Sequence, residues 1–435
     1  MFIVVVASIG IASQLIPGGR TAHSRFAIPL QCHKDSTCNI PQGSDLAELL
    51  LHTKLIIWDE TPMTNKQCFE ALEISLKDIM RVNDPAASDL IFGGKVVVFG
   101  GDFRQILPVI PKGTRQDIVF ASINSSYIWS YCRVLFLTKN MRLTQDSSDP
   151  DSLRLREFSK FILSIGDGKI GEEIFDGEFE VKIPDDLLIP SGSDPIEAIT
   201  NSTYPDFINR YHLLDYFGDR AILAPTLEDV GEINDYMLDR LPGEQKVYLS
   251  ADSICLSDTA PSDDSETYTT EFLNSVKGSG LPNHMIILKV GAPIMLIRNV
   301  DRSLGLCNGT RLIVSRLSDH VIEAVITSGK FTNEKVLIAR MNITPSDFKL
   351  PFKFQRRQFP IMLCFAMTIN KSQGQTLSNV GLYLRRPVFS HGQLYVAISR
   401  VHSRDGLKIL ICHDDGALTG KTKNVVYREV LQSIC

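Results

Sequence analysis

Apolar residues in this chain gather into short unbroken runs, several of which lead into acids, amides or arginines. Runs of that length bounded by turn residues predict buried strands, and apolar positions at helical spacing predict the helices that cover them. On this pattern Phe2–Ala7 is a strand, Ile9–Leu15 is a helix stopped by Pro17-Gly18-Gly19, and Leu46–Leu51 and Gln67–Met80 are amphipathic helices. Lys54-Leu55-Ile56-Ile57-Trp58-Asp59-Glu60 reads as a strand buried on both faces, as in a parallel sheet layered with helices. The stretch Gly93–Gln105 holds another strand and Val134–Leu137 a third. Gln145–Gly218 is richer in Asp, Ser, Gly and Pro, carries a helical patch at Leu153–Ile165, and reads as a connection. An α/β pattern resumes with the strand from Arg220 and the helix Glu228–Leu241. Short strands at Ile286–Ile297, Thr310–Val314 and Val321–Ile326, separated by turns such as Asn308-Gly309, predict a small β-barrel insertion. Phe359–Ala366, Val380–Leu384 and Leu407–Ile411 return to strand character, with helical spacing over His391–Arg400.

Length and charge narrow the picture. A chain of 435 residues exceeds what one core supports, so two or three domains are expected. A net charge of −5 gives no global basic field, so any nucleic-acid contact is confined to a local groove. Nine scattered cysteines without a C-x-x-C pair predict free thiols in a reducing compartment. Cys32, His33 and Cys38 are close in sequence but do not complete a four-ligand zinc pattern. The apolar opening lacks a basic leader and is too short to span a bilayer.

The chemistry collects at strand ends. In open α/β sheets ligands bind outside the carboxyl tips of the strands, which is where Asp59 and Glu60 are expected. One carboxylate can hold Mg²⁺ through water while its neighbour orients a nucleophilic water. Taken alone, the pair reads equally as a strand ending in a solvated turn. Gly100-Gly101-Asp102-Phe103-Arg104-Gln105 follows the next strand, and Gln105 would stand beside the acidic tip if the two strands are neighbours. An amide both donates and accepts, which suits it to a γ-phosphate and an attacking water. Arg142 lies just beyond the third run and Arg400 ends the helical segment; both are candidate phosphate contacts. Thr21, His23 and Ser24, with Arg20 and Arg25, can donate to phosphate oxygens, and Phe26 can stack on a base. The alternative there is a polar turn with one core Phe.

Together these segments resemble the PIF-type (petite-integration-frequency) family of superfamily-one DNA helicases. GGRTAHSRF resembles that family's motif Ia, IIWDE its motif II and VVVFGGDFRQILPV its motif III. LTKNMR is similar to the motif IV region, CFAMTINKSQGQTL to motif V and HGQLYVAISR to motif VI. PGGRTAHSRF and LKVGAPIMLIRN with GLCNGTRL resemble the eukaryotic branch carried by Helitron-type transposons. The resemblance implies two RecA-like parallel-sheet domains: 1–144, incomplete at its N-terminal end, and 219–435, with a β-rich insertion over about 245–358. ATP and Mg²⁺ would be the cofactors, and single-stranded DNA and duplex junctions the partners. By the same likeness Asp59 binds the metal, Glu60 activates water, Gln105 senses the γ-phosphate, and Arg142 and Arg400 neutralise developing charge. Asp102, Gln373 and Gly374 would line the nucleotide site, and Thr21, His23, Phe26, Thr368, Lys371 and Ser372 would meet DNA or couple it to hydrolysis. The family moves 5′ to 3′ and serves repair, recombination and telomere maintenance. A nuclear chain, with mitochondria as a second address, and a monomeric state are the matching expectations.

One departure qualifies that reading. The P-loop pattern G-x-x-x-x-G-K-[ST], which cradles the phosphates, does not occur. Gly416-Ala417-Leu418-Thr419-Gly420-Lys421-Thr422 is one residue short between its glycines and reads as a decoy in a solvated tail. A truncated gene model or decayed transposon copy with very poor ATPase activity is therefore expected. The alternative function is a non-catalytic single-strand-binding remnant. A weaker one is a metal-dependent nuclease using Asp59, Glu60 and Asp102.

Overall fold

The strands expected at Phe2–Ala7, in Lys54–Glu60 and in Gly93–Gln105 lie in one sheet. In the computed structural model, which describes residues 2–141, 150–190, 194–255, 268–278, 280–327, 329–345, 352–412 and 418–434, four strands line up in parallel. They are β1 (Phe2–Ala7), β2 (Arg20–Thr21), β3 (Thr53–Asp59) and β4 (Val96–Phe99), in the order β2-β1-β3-β4. Strand alternation sends Val4, Val6, Ile56 and Trp58 to one face, where they pack with Leu50 of α1 (Asp45–His52) and Phe69, Leu72 and Leu76 of α2 (Lys66–Met80). Both helices start on side-chain caps: Ser44 accepts from the Ala47 N–H and Asn65 from the Gln67 N–H. The opposite face is open. Ile3, Val96 and Val98 are exposed there, and Leu55 and Ile57 are half-buried, so β3 is covered on one face rather than two.

A second correction concerns Val134–Leu137. Its composition suits a strand, but it joins no ladder; β4 is the edge of the described sheet, and Leu135, Phe136 and Leu137 are exposed. Apolar composition alone cannot supply the missing backbone partners.

The supposed connection after residue 145 is substantially folded. It contains α3 (Pro150–Gly166), β5 (Glu172–Phe175) and β6 (Glu178–Lys182). β6 pairs antiparallel with β5 and with the late strand Lys421–Val425, in which Thr422 and Asn424 are buried. Lys421 and Thr422 thus belong to a sheet and not to a solvated tail; Gly416 and Ala417 lie outside the described residues. The chain divides into two units: Met1–Pro190 with Ser372–Ser378 and Leu382–Cys435, and Ser191–Lys371 with Asn379–Gly381. This grouping departs from boundaries at 144 and 218 because the late strand and Glu429, which pairs with Arg115 at 2.6 Å, pack onto the early residues.

In the second unit β7 (Arg220–Ala224) and α4 (Leu227–Arg240) match the resumed α/β pattern. The strands that follow are β8 (Lys246–Leu249), β9 (Ala251–Cys255), β10 (Met285–Leu288), β11 (Pro293–Leu296), β12 (Arg311–Leu317), β13 (Val321–Ile326), β14 (Lys335–Ala339), β15 (Met341–Ile343), β16 (Lys353–Gln358), β17 (Ile361–Leu363) and β18 (Ala366–Thr368). β7 pairs in parallel with β18, and Asn234 of α4 clips the helix to it by donating to the Ala366 carbonyl and accepting from the Ala366 N–H. The β-rich part forms antiparallel sheets ordered β14-β13-β12-β11-β17, β15-β16-β9 and β10-β8. The described pairings leave the five-stranded sheet open, with β14 and β17 as its edges. No helix among the described residues is long and apolar enough to cross a membrane.

Candidate active site

The acidic tip of β3 is held by its neighbours on both sides. Trp58 is fully buried, and its indole N–H donates to Ser8 Oγ at 3.0 Å just beyond β1. The Ser8 N–H donates to the Asp59 carbonyl at 3.0 Å, and Thr64 Oγ1 donates to Ser8 Oγ at 2.7 Å. On the β4 side the Gly100 N–H donates to the Trp58 carbonyl at 2.8 Å. A Cβ on Gly100 would come 2.9 Å from Asp59 Oδ1, so the glycine lets the next strand's turn lie against the carboxylate. Glu60 takes a left-handed backbone, φ 54° and ψ 42°, and its N–H donates to Asp59 Oδ1 at 2.9 Å. Burial is the main reason its carboxyl titrates above the usual value; Asp59 and Asp102 add to the rise and the Arg400 cation opposes it.

Because β3 and β4 are parallel neighbours, the loop after β4 stands beside that tip, as the sequence condition for Gln105 required. The loop is tied at several points. Asp102 accepts from the Arg104 N–H at 3.1 Å and from the Tyr395 hydroxyl at 2.6 Å. Arg104 donates to Asp167 Oδ1, which follows α3, at 2.5 Å. His391 is fully buried, with one ring nitrogen 2.8 Å from the Phe103 carbonyl and the other accepting from the Tyr427 N–H at 2.8 Å. Burial lowers its pKa to about 4. Gln105 Oε1 accepts from Gln373 at 3.3 Å, and Gln373 Oε1 is buried with no partner among the described residues.

Arg400 follows the helix Gln393–Ile398 and is nearly buried. Its guanidinium donates to the carbonyls of Val396 at 2.9 Å and Gln375 at 3.1 Å, and to Ser399 Oγ at 2.8 Å. Gly374 has φ 73°, and a Cβ there would sit 3.1 Å from Ile9. Asp59, Glu60, Asp102, Gln105, Gln373, Gly374 and Arg400 all belong to the first unit. Arg142 lies outside the described residues. Among the described residues no three His, Cys, Asp or Glu side chains are grouped to hold a metal, which removes the support for a nuclease built on Asp59, Glu60 and Asp102.

The expected DNA residues fare unevenly. Thr21 ends β2 and is half-buried. Phe26 is fully buried, with its ring centroid 6.0 Å from that of Trp58, so it is a core residue and not a base-stacking one. His23 Nε2 lies 3.8 Å from Cys68 Sγ, and burial lowers its pKa. Ser372 is buried in the first unit. In the second unit Thr368 ends β18, and Lys371 donates to Asn308 Oδ1 at 3.1 Å, its pKa lowered by burial. Sequence reasoning passed over Ser8, Asp167, His391 and Tyr395. Only the last two left a signal: both stand in HGQLYVAISR, where Arg400 drew the attention.

Comparison with known proteins places this geometry. The sequence model described as PIF1-like helicase matches residues 1–174, and that of the 2B domain of DNA helicase Pif1 matches residues 271–317. The chain belongs to the PIF1-like helicase family. Among its PIF1-like relatives, ATP-dependent DNA helicase PIF1 of Danio rerio is 27% identical over 419 residues, covering 93% of this chain and 53% of the relative. The Homo sapiens protein of the same name is 26% identical over 94% of this chain and 54% of its own length. ATP-dependent DNA helicase RRM3 of Saccharomyces cerevisiae is 26% identical over 94% and 58%. The chain spans about half the length of the PIF1 relatives it matches. A solved Pif1 helicase from Bacteroides, in complex with ADP-AlF3 and single-stranded DNA, has a TM-score of 0.63 at 22% identity, covering 98% of this chain and 84% of its own. Pif1 helicase from Candida albicans gives 0.60 at 23%, covering 99% and 87%. These two likenesses show the fold: RecA-like α/β.

Proposed function

We propose that this chain is the motor portion of an ATP-dependent 5′–3′ DNA helicase of the PIF1 type, coupling ATP hydrolysis to movement along single-stranded DNA and duplex unwinding. The observation that carries the reading is the gathering of Asp59, Glu60, Gln105, Gln373 and Arg400 into one unit although they span most of the chain. The donor set fits a nucleotide with Mg²⁺. Among the described residues Gln373 Oε1 is a buried acceptor without a donor, and a single carboxylate such as Asp59, completed by water and phosphate oxygens, is how Mg²⁺ is commonly held. Bound Mg-ATP would supply the phosphoryl group to be cleaved.

The residues divide that work by their chemistry. Asp59 stands as the metal ligand, while Asp102, Gln373 and Gly374 line the site. Glu60, whose carboxyl is held above the usual range by burial, takes a proton from water at its carboxylate oxygen. Gln105 orients that water, and Arg400 supplies fixed positive charge. Arg142 remains a second arginine in this proposal. Thr21, His23, Thr368, Lys371 and Ser372 are proposed to contact DNA or couple it to the site. The two units, Met1–Pro190 with Ser372–Ser378 and Leu382–Cys435, and Ser191–Lys371 with Asn379–Gly381, would be the two parts of the motor. A nuclear or mitochondrial location and a role in repair, recombination or telomere maintenance complete the proposal; the seven cysteines that stand as free thiols among the described residues support a reducing compartment.

The test is DNA-stimulated ATP hydrolysis by the purified chain, alone and joined to a P-loop-bearing strand–turn–helix, because G-x-x-x-x-G-K-[ST] does not occur in these 435 residues. Hydrolysis by the joined chain that falls at least about 100-fold in Glu60→Gln supports the assignment. No hydrolysis in either form, with salt-sensitive single-strand binding retained, favours the binding remnant instead.

A further inference from the structure

We propose that His391 is a positioning residue for Gln105, acting through the main chain of the loop that carries it; this deepens the nucleotide-hydrolase reading and rests on it. Residues 101–110 form no regular element, so the placement of Gln105 depends on tethers from outside. Two of these grip side chains: Tyr395 holds Asp102 and Asp167 holds Arg104. His391 grips the backbone, at the carbonyl two residues before Gln105.

The imidazole's two bonds fix its proton. A backbone N–H can only donate, so the Tyr427 N–H makes Nδ1 an acceptor. The single ring proton of the neutral form must then sit on Nε2, from which it donates to the Phe103 carbonyl at 2.8 Å. Gly392 lets the clamp close: it has φ 75°, and a Cβ there would lie 2.4 Å from the Arg104 carbonyl oxygen and 2.6 Å from the Gln105 carbonyl carbon. The far side of the clamp is itself anchored, because the Arg115 guanidinium lies 4.9 Å over the Tyr427 ring and donates to Glu429. This histidine joins an irregular loop to the N-cap of the helix Arg428–Gln432. The Gln105 amide is then held beside Gln373 before any ligand arrives.

Two substitutions separate the bonds. His391→Gln keeps a donor where Nε2 stands and gives up the acceptor for Tyr427. His391→Asn keeps the acceptor and gives up the donor to Phe103. Amide hydrogen exchange of the full chain is read over residues 102–106, with β1 and β3 as the folding control. Faster loop exchange in His391→Asn, with near wild-type exchange in His391→Gln, is expected. In the P-loop-joined chain the Asn variant should lose roughly 10- to 100-fold in kcat with little change in KM for ATP. Equal exchange and equal kcat in both variants overturns the proposal. ¹⁵N-histidine NMR of the unmodified chain needs no variant: an unprotonated Nδ1 supports it, and a protonated Nδ1 overturns it. A chain without any ATPase activity would sink the hydrolase reading and leave the exchange and NMR results to judge the clamp.

Discussion

Gln373 donates its side-chain amide to Oε1 of Gln105 at 3.3 Å, joining residues 268 positions apart. Among the described residues the pair leaves Gln373 Oε1 buried without a donor, an arrangement that costs about 1–3 kcal/mol until something donates to it. A site that keeps such an acceptor is set up for a ligand or water. If the two amides act as one unit, their kinetic effects are not additive. In the P-loop-joined chain Gln105→Ala is expected to lower kcat about 100-fold or more, the usual consequence of removing a positioned polar group. Gln373→Ala should cost less, and the double variant should be no worse than Gln105→Ala. Additive losses in kcat would show that the 3.3 Å bond has no catalytic meaning.

Glu60 is strained where it is most needed. Its φ of 54° is a left-handed conformation that costs a non-glycine residue about 1 kcal/mol or more. Its carboxyl also titrates above 4.5, chiefly through burial, so in the folded chain the ionised form is disfavoured. The sign follows: stability is lost as pH rises from the unfolded value through the higher folded one. Glu60→Gly should therefore unfold at higher urea than the parent, by about 1 kcal/mol, with the advantage larger at pH 7 than at pH 4. Hydrolysis should fall by at least about 100-fold in the same variant. A destabilised Glu60→Gly protein would show that neither strain nor charge burial is stored there.

His391 gives a pH signature of opposite sense. Its pKa falls from 6.5 to about 4, first through burial. Between those values the unfolded chain binds a proton that the folded chain refuses. Stability therefore declines as pH drops from about 6.5 toward about 4, by about 3 kcal/mol at most. His391→Gln removes the titrating group, so its urea midpoint should change less than the parent's between pH 7 and pH 5. Parallel shifts in both proteins would mean that His391 is not kept neutral in the fold.

Much of the first unit's core was legible because its elements carry strong local patterns. The Phe2–Ala7 strand and the helices over 46–51 and 67–80 appear within a residue or two of their expected bounds. β3 and β4 are adjacent, so the loop that carries Gln105 leaves the sheet beside Asp59, which the sequence could state only as a condition. The misses come from tertiary context. Phe26 looked available for a base, yet its partner Trp58 is 32 positions away and invisible to a local reading. Val134–Leu137 has strand composition and no ladder. His391 and Tyr395 looked like ordinary positions of an apolar helix segment until the loop after β4 was brought against them.

The second unit offers a test of stability that is independent of the active site. Arg356 on β16 is fully buried and pairs with buried Asp252 on β9 at 2.6 Å. It also donates to the carbonyls of Leu273, Val276 and Pro282 at 2.9–3.0 Å, so one guanidinium ties the end of the helix Thr270–Ser275 and the residues after it to the three-stranded sheet. Breaking such a pair on one side strands a buried charge, and Arg356→Ala should cost about 3–5 kcal/mol. Replacing both partners by apolar groups normally recovers most of that loss. Here recovery should be partial, because Arg356→Met with Asp252→Leu still takes the guanidinium donor away from the Val276 and Pro282 carbonyls. Urea unfolding of the single and double variants measures the difference. A double variant as stable as the parent would mean that the carbonyl bonds add nothing beyond the ion pair.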